Sequence, residues 1–186
     1  ALSGALALLG SEPELALREG EVLAPRLARA AKPEAEGRVT LDPEATVLIA
    51  GGGALGALAA RHLVSAHGAR HLLVASRRGE GAEGAAELRE ELERLGAGEV
   101  RIESCDLSDR EQLAAMLETI PAAHPLGAVV HSAAVLDDGL LASLDGERLR
   151  RVMEPKLDAA WNLHELTEGA DLSLFCLLYT SPSPRD

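Results

Sequence analysis

The sequence has very few aromatic residues: one Trp, one Tyr and one Phe among 186 residues. Proteins that bind single-stranded nucleic acid stack its bases on aromatic side chains, so this mode of binding is excluded. Hydrophobic residues make up 47% of the chain, and the core must therefore be built from Ala, Leu and Val. The length suits one domain with a sizeable core, or one domain with pieces of its neighbours.

Basic residues and cysteines are also scarce. Eighteen Lys and Arg against thirty Asp and Glu give a net charge of −12, which argues against nucleic acid and anionic membranes as partners. Cys105 and Cys176 are too few for a disulfide or metal framework, and the histidines lack ligand spacing, so we predict no metal. The chain has no apolar run of 18 residues and no signal peptide, which predicts a reduced, cytoplasmic protein.

A glycine cluster follows an apolar run near residue 50. Val47 to Ala50 suits a parallel strand that is buried on both faces. The glycines after it have the spacing G-x-G-x-x-G, in which the first makes a tight turn, the second admits a pyrophosphate and the third packs helix on strand. A helix-like stretch follows, whose N-terminus would face that anion. We predict a dinucleotide site at Gly51, Gly52, Gly53, Leu55 and Gly56, the alternative being a glycine-rich turn in an unrelated α/β domain.

Strands and helices alternate after this loop. Further strands are predicted at 71–76, 99–104, 127–132 and 171–178. Helices are predicted at 81–95, at 108–120 with Ser108 as N-cap, and at 144–166 with a break near Pro155. This order predicts an α/β fold, a Rossmann-like doubly wound parallel sheet of about five strands. Residues 14–18 and 21–27 form a preceding β-hairpin, and 28–44, rich in Ala, Pro and charge, is typical of a linker.

Two arginines follow Ser76, which ends the second strand of the predicted sheet and lies twenty residues after Gly56 (76 − 56). At this distance an acid would hold the ribose 2′-hydroxyl of NAD, but the sequence reads Ser76, Arg77 and Arg78. Guanidinium groups there would bind the 2′-phosphate of NADP, the alternative being two solvated arginines. Asp106 and Leu107 follow the third strand, where the carboxylate could accept from an adenine amino group or make a helix-entry turn.

Small residues end the fourth strand of the sheet. Ser132 and Ala133 leave room for a nicotinamide ribose, and we predict that they bind the cofactor together with His131. Taken alone, His131 is more typical of a core histidine whose hydrogen bonds are satisfied.

Five segments of the chain match one family in the right order: VLIAGGGALG, LLVASRRG, CDLSD, VVHSAAVLDDGLL and EPKLDAAWNLHEL. They resemble the ketoreductase domain of modular type I polyketide synthases, a branch of the short-chain dehydrogenase/reductase superfamily. The resemblance covers residues 45–175, and residues 11–28 look like the last strands of the structural subdomain that precedes it. It implies reduction of a β-ketoacyl thioester by NADPH, with an acyl carrier protein presenting the substrate and other synthase domains in the same polypeptide.

The resemblance also implies roles for individual residues. Lys156 matches the catalytic lysine, which binds the nicotinamide ribose and lowers the pKa of a catalytic tyrosine. Leu136, Asp137 and Asp138 match the LDD signature of B-type ketoreductases, which goes with a D-hydroxy product.

The last residues of the chain depart from the family, which continues into a catalytic Ser and Tyr. Residues 176–186 read CLLYTSPSPRD. Pro182 and Pro184 cannot continue a central strand, because proline has no backbone N–H to donate. We therefore expect a truncated and inactive ketoreductase with a non-native tail, in which Tyr179, Ser181 and Ser183 have no catalytic role. The expected segments are 1–27, the end of the structural subdomain; 28–44, the linker; 45–175, the NADP-binding part; and 176–186, the tail.

Two other functions stay open from the sequence. One is a dinucleotide-binding module without chemistry. The other is an extended short-chain dehydrogenase, such as a sugar epimerase or reductase, for which a downstream Tyr-x-x-x-Lys would be the mark.

Overall fold

The computed structural model describes residues 12, 14–26 and 40–178. The chain divides into two units, Ala1–Arg38 and Val39–Asp186. Most of the predicted linker and the end of the predicted tail, 179–186, lie outside the described residues. Leu41 is buried in the core of the second unit, so this unit includes residues that the sequence assigns to the linker. The boundaries of the four predicted segments stay predictions.

The first unit contains the predicted hairpin, formed by β1 (Ala16–Arg18) and β2 (Glu21–Leu23). The strands are antiparallel, with Arg18 opposite Glu21. The two linking residues, Glu19 and Gly20, both have positive φ, 50° and 86°. A two-residue turn of this hand matches the natural twist of the paired strands.

The second unit contains one parallel sheet of five strands: β3 (Thr46–Ala50), β4 (His71–Ser76), β5 (Glu99–Ser104), β6 (Leu126–His131) and β7 (Leu174–Leu177). Their spatial order is β5-β4-β3-β6-β7. Val47 pairs with Leu72 on one side and with Ala128 on the other. Strand β3, the first of this sheet along the chain, is therefore central. The chain winds outward from it in both directions, which confirms the doubly wound fold.

Helices cover both faces of this sheet. They are α1 (Ala54–His67), α2 (Ala85–Leu95), α3 (Arg110–Glu118), α4 (Gly146–Met153) and α5 (Ala159–Thr167). Of the helices in the described ranges, none is long and apolar enough to cross a membrane.

Alternate residues of the strands pack in two separate hydrophobic clusters, one on each face of the sheet. Val47 and Ile49 pack with α1 and α2 in one cluster. Leu48 and Ala50 pack with α3 and α5 in the other. Because both faces of the strands are covered, a continuous apolar run such as that of β3 is the sequence expected for a strand in this position.

Three helix boundaries differ from the sequence predictions. The helix predicted at 81–95 begins at Ala85, after a short 3₁₀ turn at Gly79–Gly81. The N-cap of α3 is Asp109 rather than Ser108, because the Asp109 carboxylate accepts from the backbone N–H groups of Glu111 and Gln112. The helix predicted at 144–166 is α4 and α5 joined by a π-helical turn, Glu154–Asp158, which contains the expected break at Pro155.

Candidate functional site

A cleft of about 960 Å³ lies where the carboxyl ends of β3, β4, β5 and β6 meet. The strand order reverses between β3 and β6, and ligands of open α/β sheets bind at such a switch point. The volume is at the upper end of the range for small-molecule sites and suits a dinucleotide. Its walls include most of the predicted cofactor residues: Gly51, Gly52, Gly53, Leu55, Gly56, Ser76, Arg77, Arg78, Asp106, Leu107, Ser132 and Ala133.

The three motif glycines each have a distinct environment. Gly51 has φ of 123°, a conformation that favours glycine. A Cβ on Gly56 would lie 1.8 Å from the Gly51 carbonyl oxygen, so helix and loop pack too closely for any side chain. A Cβ on Gly53 would meet nothing within 4 Å, because this residue caps α1 and faces the open cleft. The loop thus leaves backbone exposed where a phosphate would approach.

The end of β6 holds the glycine loop in place. The backbone N–H groups of Ser132 and Ala133 both donate to the Ala50 carbonyl, at 2.8 and 3.0 Å. The Ser132 hydroxyl donates to the Gly51 carbonyl at 3.0 Å. Ser132 therefore shapes the cleft by fixing the first turn of the loop.

Arg77 and Arg78 project from a tightly fixed turn after β4. The Gly79 N–H donates to the Ser76 hydroxyl at 3.1 Å, and the Ser104 hydroxyl donates to the Arg77 carbonyl at 2.9 Å. Both arginines are exposed, and neither guanidinium has an ion pair or hydrogen bond with a residue in the described part of the chain. These two cations, which have no ion pair within the described residues, therefore line the cleft of a protein whose net charge is −12.

Asp106 makes the helix-entry turn that the sequence left as one of two options. Its Oδ1 accepts from the Ser108 N–H at 3.0 Å and from the Ser108 hydroxyl at 2.6 Å. The buried side chain of Asn162, on α5, donates to the carbonyls of Leu107 and Ser108 at 3.2 and 2.9 Å. This amide positions the loop behind the cleft, a role with no local signal in the sequence.

Lys156 lies in the π-helical turn between α4 and α5. Its Nζ donates to the Leu178 carbonyl, and burial lowers the pKa of its ammonium group. Pro155 has no N–H to donate, and single π turns inside helices are common at functional sites. Glu154 and Pro155, the residues before Lys156, are part of the cleft wall.

His131 is placed differently from the other residues at the end of β6. Its side chain is 1% exposed and does not belong to the cleft wall. Neither ring nitrogen has a hydrogen bond in the described structure. Burial and, second, the charge of Lys156 lower the pKa of His131, so the ring is a neutral support beneath the cleft.

The residues Leu136, Asp137 and Asp138 lie in the loop after β6, beside the cleft rather than on its wall. Asp137 accepts from Arg148 and Arg151 of α4, and these guanidinium groups lower the pKa of its carboxyl. Arg151 itself lines the cleft. Arg148 and Arg151 were not predicted from the sequence, where they look like solvated charges on an amphipathic helix.

One cluster of metal-ligating side chains occurs among the described residues, at the opposite end of the sheet: Glu44, His71 and His124. The two imidazole rings are stacked, with centroids 3.6 Å apart and planes 19° apart. The Nδ1 atom of His124 lies 2.8 Å from the Glu44 backbone carbonyl oxygen, a contact that engages this ring nitrogen within the protein. The sequence-based expectation of no metal stays a prediction.

Comparison with known proteins gives one consistent family. The family model described as "KR domain" matches residues 45–183. Polyketide synthase GfsA of Streptomyces halstedii is 52% identical over 177 residues, which are 94% of this chain and 2% of that protein. Erythronolide synthase EryA2 of Saccharopolyspora erythraea is 53% identical over 144 residues, 77% of this chain and 4% of that protein. The chain thus spans a small fraction of the length of these relatives.

Solved structures agree with the fold. One described as "Structure of A1-type ketoreductase" is 48% identical with a TM-score of 0.82, and one of A-type ketoreductases from a modular polyketide synthase is 47% identical with the same TM-score. Each comparison covers 95% of this chain and 37% of the solved chain.

Proposed function

The chain belongs to the KR domain family, and from that membership we propose that it serves the reduction of a β-ketoacyl thioester to the β-hydroxyacyl thioester in polyketide biosynthesis. The relatives are multidomain synthases. Other synthase domains in the same polypeptide are therefore the proposed neighbours, and an acyl carrier protein the proposed carrier of the substrate. We place this reaction in the cytoplasm.

The observation that carries this proposal is the glycine loop facing a cleft of dinucleotide size. Gly51 has a positive φ, Gly56 has no room for a Cβ, and Gly53 leaves open space above the N-terminus of α1. Backbone N–H groups at a helix N-terminus bind phosphate, so these residues fit the pyrophosphate of a dinucleotide. NADPH, when bound, would supply the hydride.

NADPH is proposed over NADH because of the turn after β4. Arg77 and Arg78 offer guanidinium groups that have no ion pair among the described residues, and the end of β4, Ser76 to Arg78, has no acid at the place where one would bind a ribose 2′-hydroxyl. A forked cation matches a phosphate dianion in both charge and geometry.

Lys156 is the proposed catalytic residue of this chain. Its ammonium group would hold the nicotinamide ribose and, through its charge, lower the pKa of the tyrosine that protonates the alkoxide in this family. We further propose that Tyr179, Ser181 and Ser183 do not supply the tyrosine and serine of that machinery. These three residues lie outside the described residues.

B-type stereochemistry is proposed from Leu136, Asp137 and Asp138, which match the LDD signature. The two solved relatives named above are of A type, so the configuration of the product is the discriminating result. A D-hydroxy product supports the B-type assignment, and an L-hydroxy product refutes it while leaving the reductase function intact.

The test of function uses the complete KR-containing protein with a β-ketoacyl thioester and NADPH. We expect thioester-dependent NADPH oxidation, with the product analysed by chiral chromatography. The Lys156→Ala variant should lose about 10²-fold or more in kcat, the lower range for acid–base assistance. Arg150→Ala, an exposed change on α4, is the matched control and should retain the wild-type rate. Wild-type turnover in Lys156→Ala would show that the lysine has been assigned wrongly.

A further inference from the structure

The guanidinium of Arg148 ties together both ends of the loop that carries the LDD residues. Its Nε and Nη2 donate to Asp137 Oδ1 at 3.0 and 2.6 Å. Nη2 also faces the carbonyls of Asp137 and Asp138 at 3.1 and 2.8 Å. Nη1 donates to the carbonyl and hydroxyl oxygens of Ser143, each at 3.2 Å. One side chain thus connects the start of the loop with its end.

The arginine is itself firmly held. The Arg148 backbone N–H donates to the carboxylate of Asp145, the N-cap of α4, at 2.9 Å. The side chains of Arg148 and Asp137 are only 23% and 18% exposed. A partly shielded, forked pair anchored in the first turn of a helix is better ordered than an exposed ion pair between two flexible side chains.

The loop closes around this guanidinium at Gly139. A Cβ on Gly139 would lie 2.6 Å from Arg148 Nη1 and 2.9 Å from Nη2. A side chain at residue 139 would displace the end of the Arg148 side chain, so glycine leaves the guanidinium room to contact the carbonyls on both sides of it. The segment Asp-Asp-Gly has the composition of an ordinary turn. Here it folds around the Arg148 guanidinium.

The two aspartates of the loop have different environments. The Asp137 carboxylate accepts from Arg148 and, at 2.8 Å, from Arg151. The Asp138 residue is exposed, and its carboxylate has no hydrogen bond or ion pair within residues 40–178; only its carbonyl contacts Arg148. Arg151 lines the cofactor cleft, so Asp137 connects the loop to the cleft wall and Asp138 is left free.

We propose that Arg148 is a positioning residue for product stereochemistry, which fixes the LDD loop through Asp137 and the loop carbonyls so that Asp138 faces the incoming substrate. This inference rests on the proposed function, because it concerns the face of the ketone that receives hydride. In this proposal the Asp137 carboxylate holds the loop in place, and the Asp138 carboxylate faces the substrate.

The experiment compares Arg148→Ala, Arg148→Lys and the control Arg150→Ala in the complete KR-containing protein. We expect Arg148→Ala to lower the ratio of major to minor hydroxy product about tenfold, a typical coupling for contacting residues. The NADPH Kd should stay within about twofold, because Arg148 does not line the cleft. Arg148→Lys should recover only part of the ratio, since an ammonium cannot replace a fork. Arg150→Ala should match the wild type.

Hydrogen exchange of the backbone amides at residues 136–143 gives a second readout that does not depend on turnover. Faster exchange confined to this loop in Arg148→Ala supports the positioning role. Should that variant fail to fold, Asp137→Asn, which removes the negative charge of the main acceptor and keeps the shape of the side chain, tests the same contact.

The outcomes separate the two ideas. A wild-type protein that does not reduce the thioester refutes the proposed function, and loop exchange then decides whether Arg148 positions the loop. A wild type that reduces the thioester, with an unchanged product ratio and unchanged loop exchange in Arg148→Ala, overturns the inference.

Discussion

Arg77 and Arg78 lead to a prediction about cofactor choice. In Arg77→Ala we expect NADPH affinity to fall about tenfold to a hundredfold, because a hydrogen bond to a charged group contributes roughly 1.5–3 kcal/mol. NADH affinity should not change, since NADH has no 2′-phosphate. Titration of both cofactors by fluorescence or calorimetry checks this, with Arg94→Ala, an exposed change on α2, as control. Equal affinities of the wild-type protein for NADPH and NADH would contradict the prediction.

His131 leads to a prediction about acid stability. Its pKa is lowered in the folded protein by burial and by Lys156, whereas the unfolded chain takes up a proton near the ordinary value of about 6.5. The unfolded state therefore binds more protons as pH falls below that value, and stability is lost in that direction. When the pH is lowered from neutral to mildly acidic, we expect the midpoint of urea unfolding to fall less in His131→Gln than in the wild type.

The control for this measurement is His67→Gln. His67 is exposed at the end of α1, so this variant controls for the removal of a histidine that is not part of the core. An acid-side slope that persists unchanged in His131→Gln would place the sensitive group elsewhere.

At the scale of elements, the turn between β3 and α1 contains two glycines with different expected roles. Gly56 is expected to matter for stability and Gly53 for cofactor binding. Gly56→Ala places a methyl group 1.8 Å from the Gly51 carbonyl oxygen, and overpacking of this kind costs about 1–3 kcal/mol or more. Gly53→Ala meets no atom within 4 Å and should cost at most about 1 kcal/mol, through a poorer N-cap. Its methyl group would instead obstruct a pyrophosphate.

The two variants should therefore show opposite profiles. Urea unfolding should detect Gly56→Ala, and NADPH titration should detect Gly53→Ala. A stable, fully binding Gly53→Ala protein would show that the cofactor does not approach this part of the loop.

The sequence predicted the elements of the sheet better than their connections. The strands His71–Ser76 and Glu99–Ser104 agree with prediction residue for residue. The first contains a short apolar run typical of a strand buried on both faces, and the second alternates apolar with charged residues, which is typical of a strand with one buried face. The N-cap of α3 differs by one residue, since Ser108 and Asp109 have similar capping chemistry and only the structure decides between them. The glycine loop was predictable because its chemistry is contained in six consecutive residues.

The contacts that complete the site join residues that are distant in sequence. The Arg148 guanidinium, on α4, donates to the Asp137 carboxylate in the loop after β6. The Asn162 amide, on α5, donates to the Leu107 carbonyl in the loop after β5. His131 could be recognised as buried, but not as lying beside Lys156. Such contacts depend on the packing of finished elements, and no local pattern encodes them.

At the scale of the whole molecule, Cys105 reports on the integrity of the fold. It is 2% exposed, and burial, followed by the charge of Asp106, raises its pKa to about 11. At pH 8 its thiolate fraction is roughly a hundredfold below that of a free cysteine, and the thiolate is the reactive form. We expect iodoacetamide to label Cys105 only when the second unit unfolds, as measured by mass spectrometry across a urea series. Rapid labelling without urea would contradict the burial of this residue.

The strand order has a consequence for the time course of folding during synthesis. The segment with β3, β4, β5, α1 and α2 is continuous in sequence and can cover one face of its sheet as soon as it leaves the ribosome. The other face, with Leu48 and Leu73, waits for α3 and α5. Leu48 precedes Leu163 of α5, which packs on this face, by 115 residues (163 − 48), which at ordinary elongation rates is a delay of about 6–23 s. During that interval the nascent chain presents a bare apolar sheet face, the form in which a chaperone would meet it.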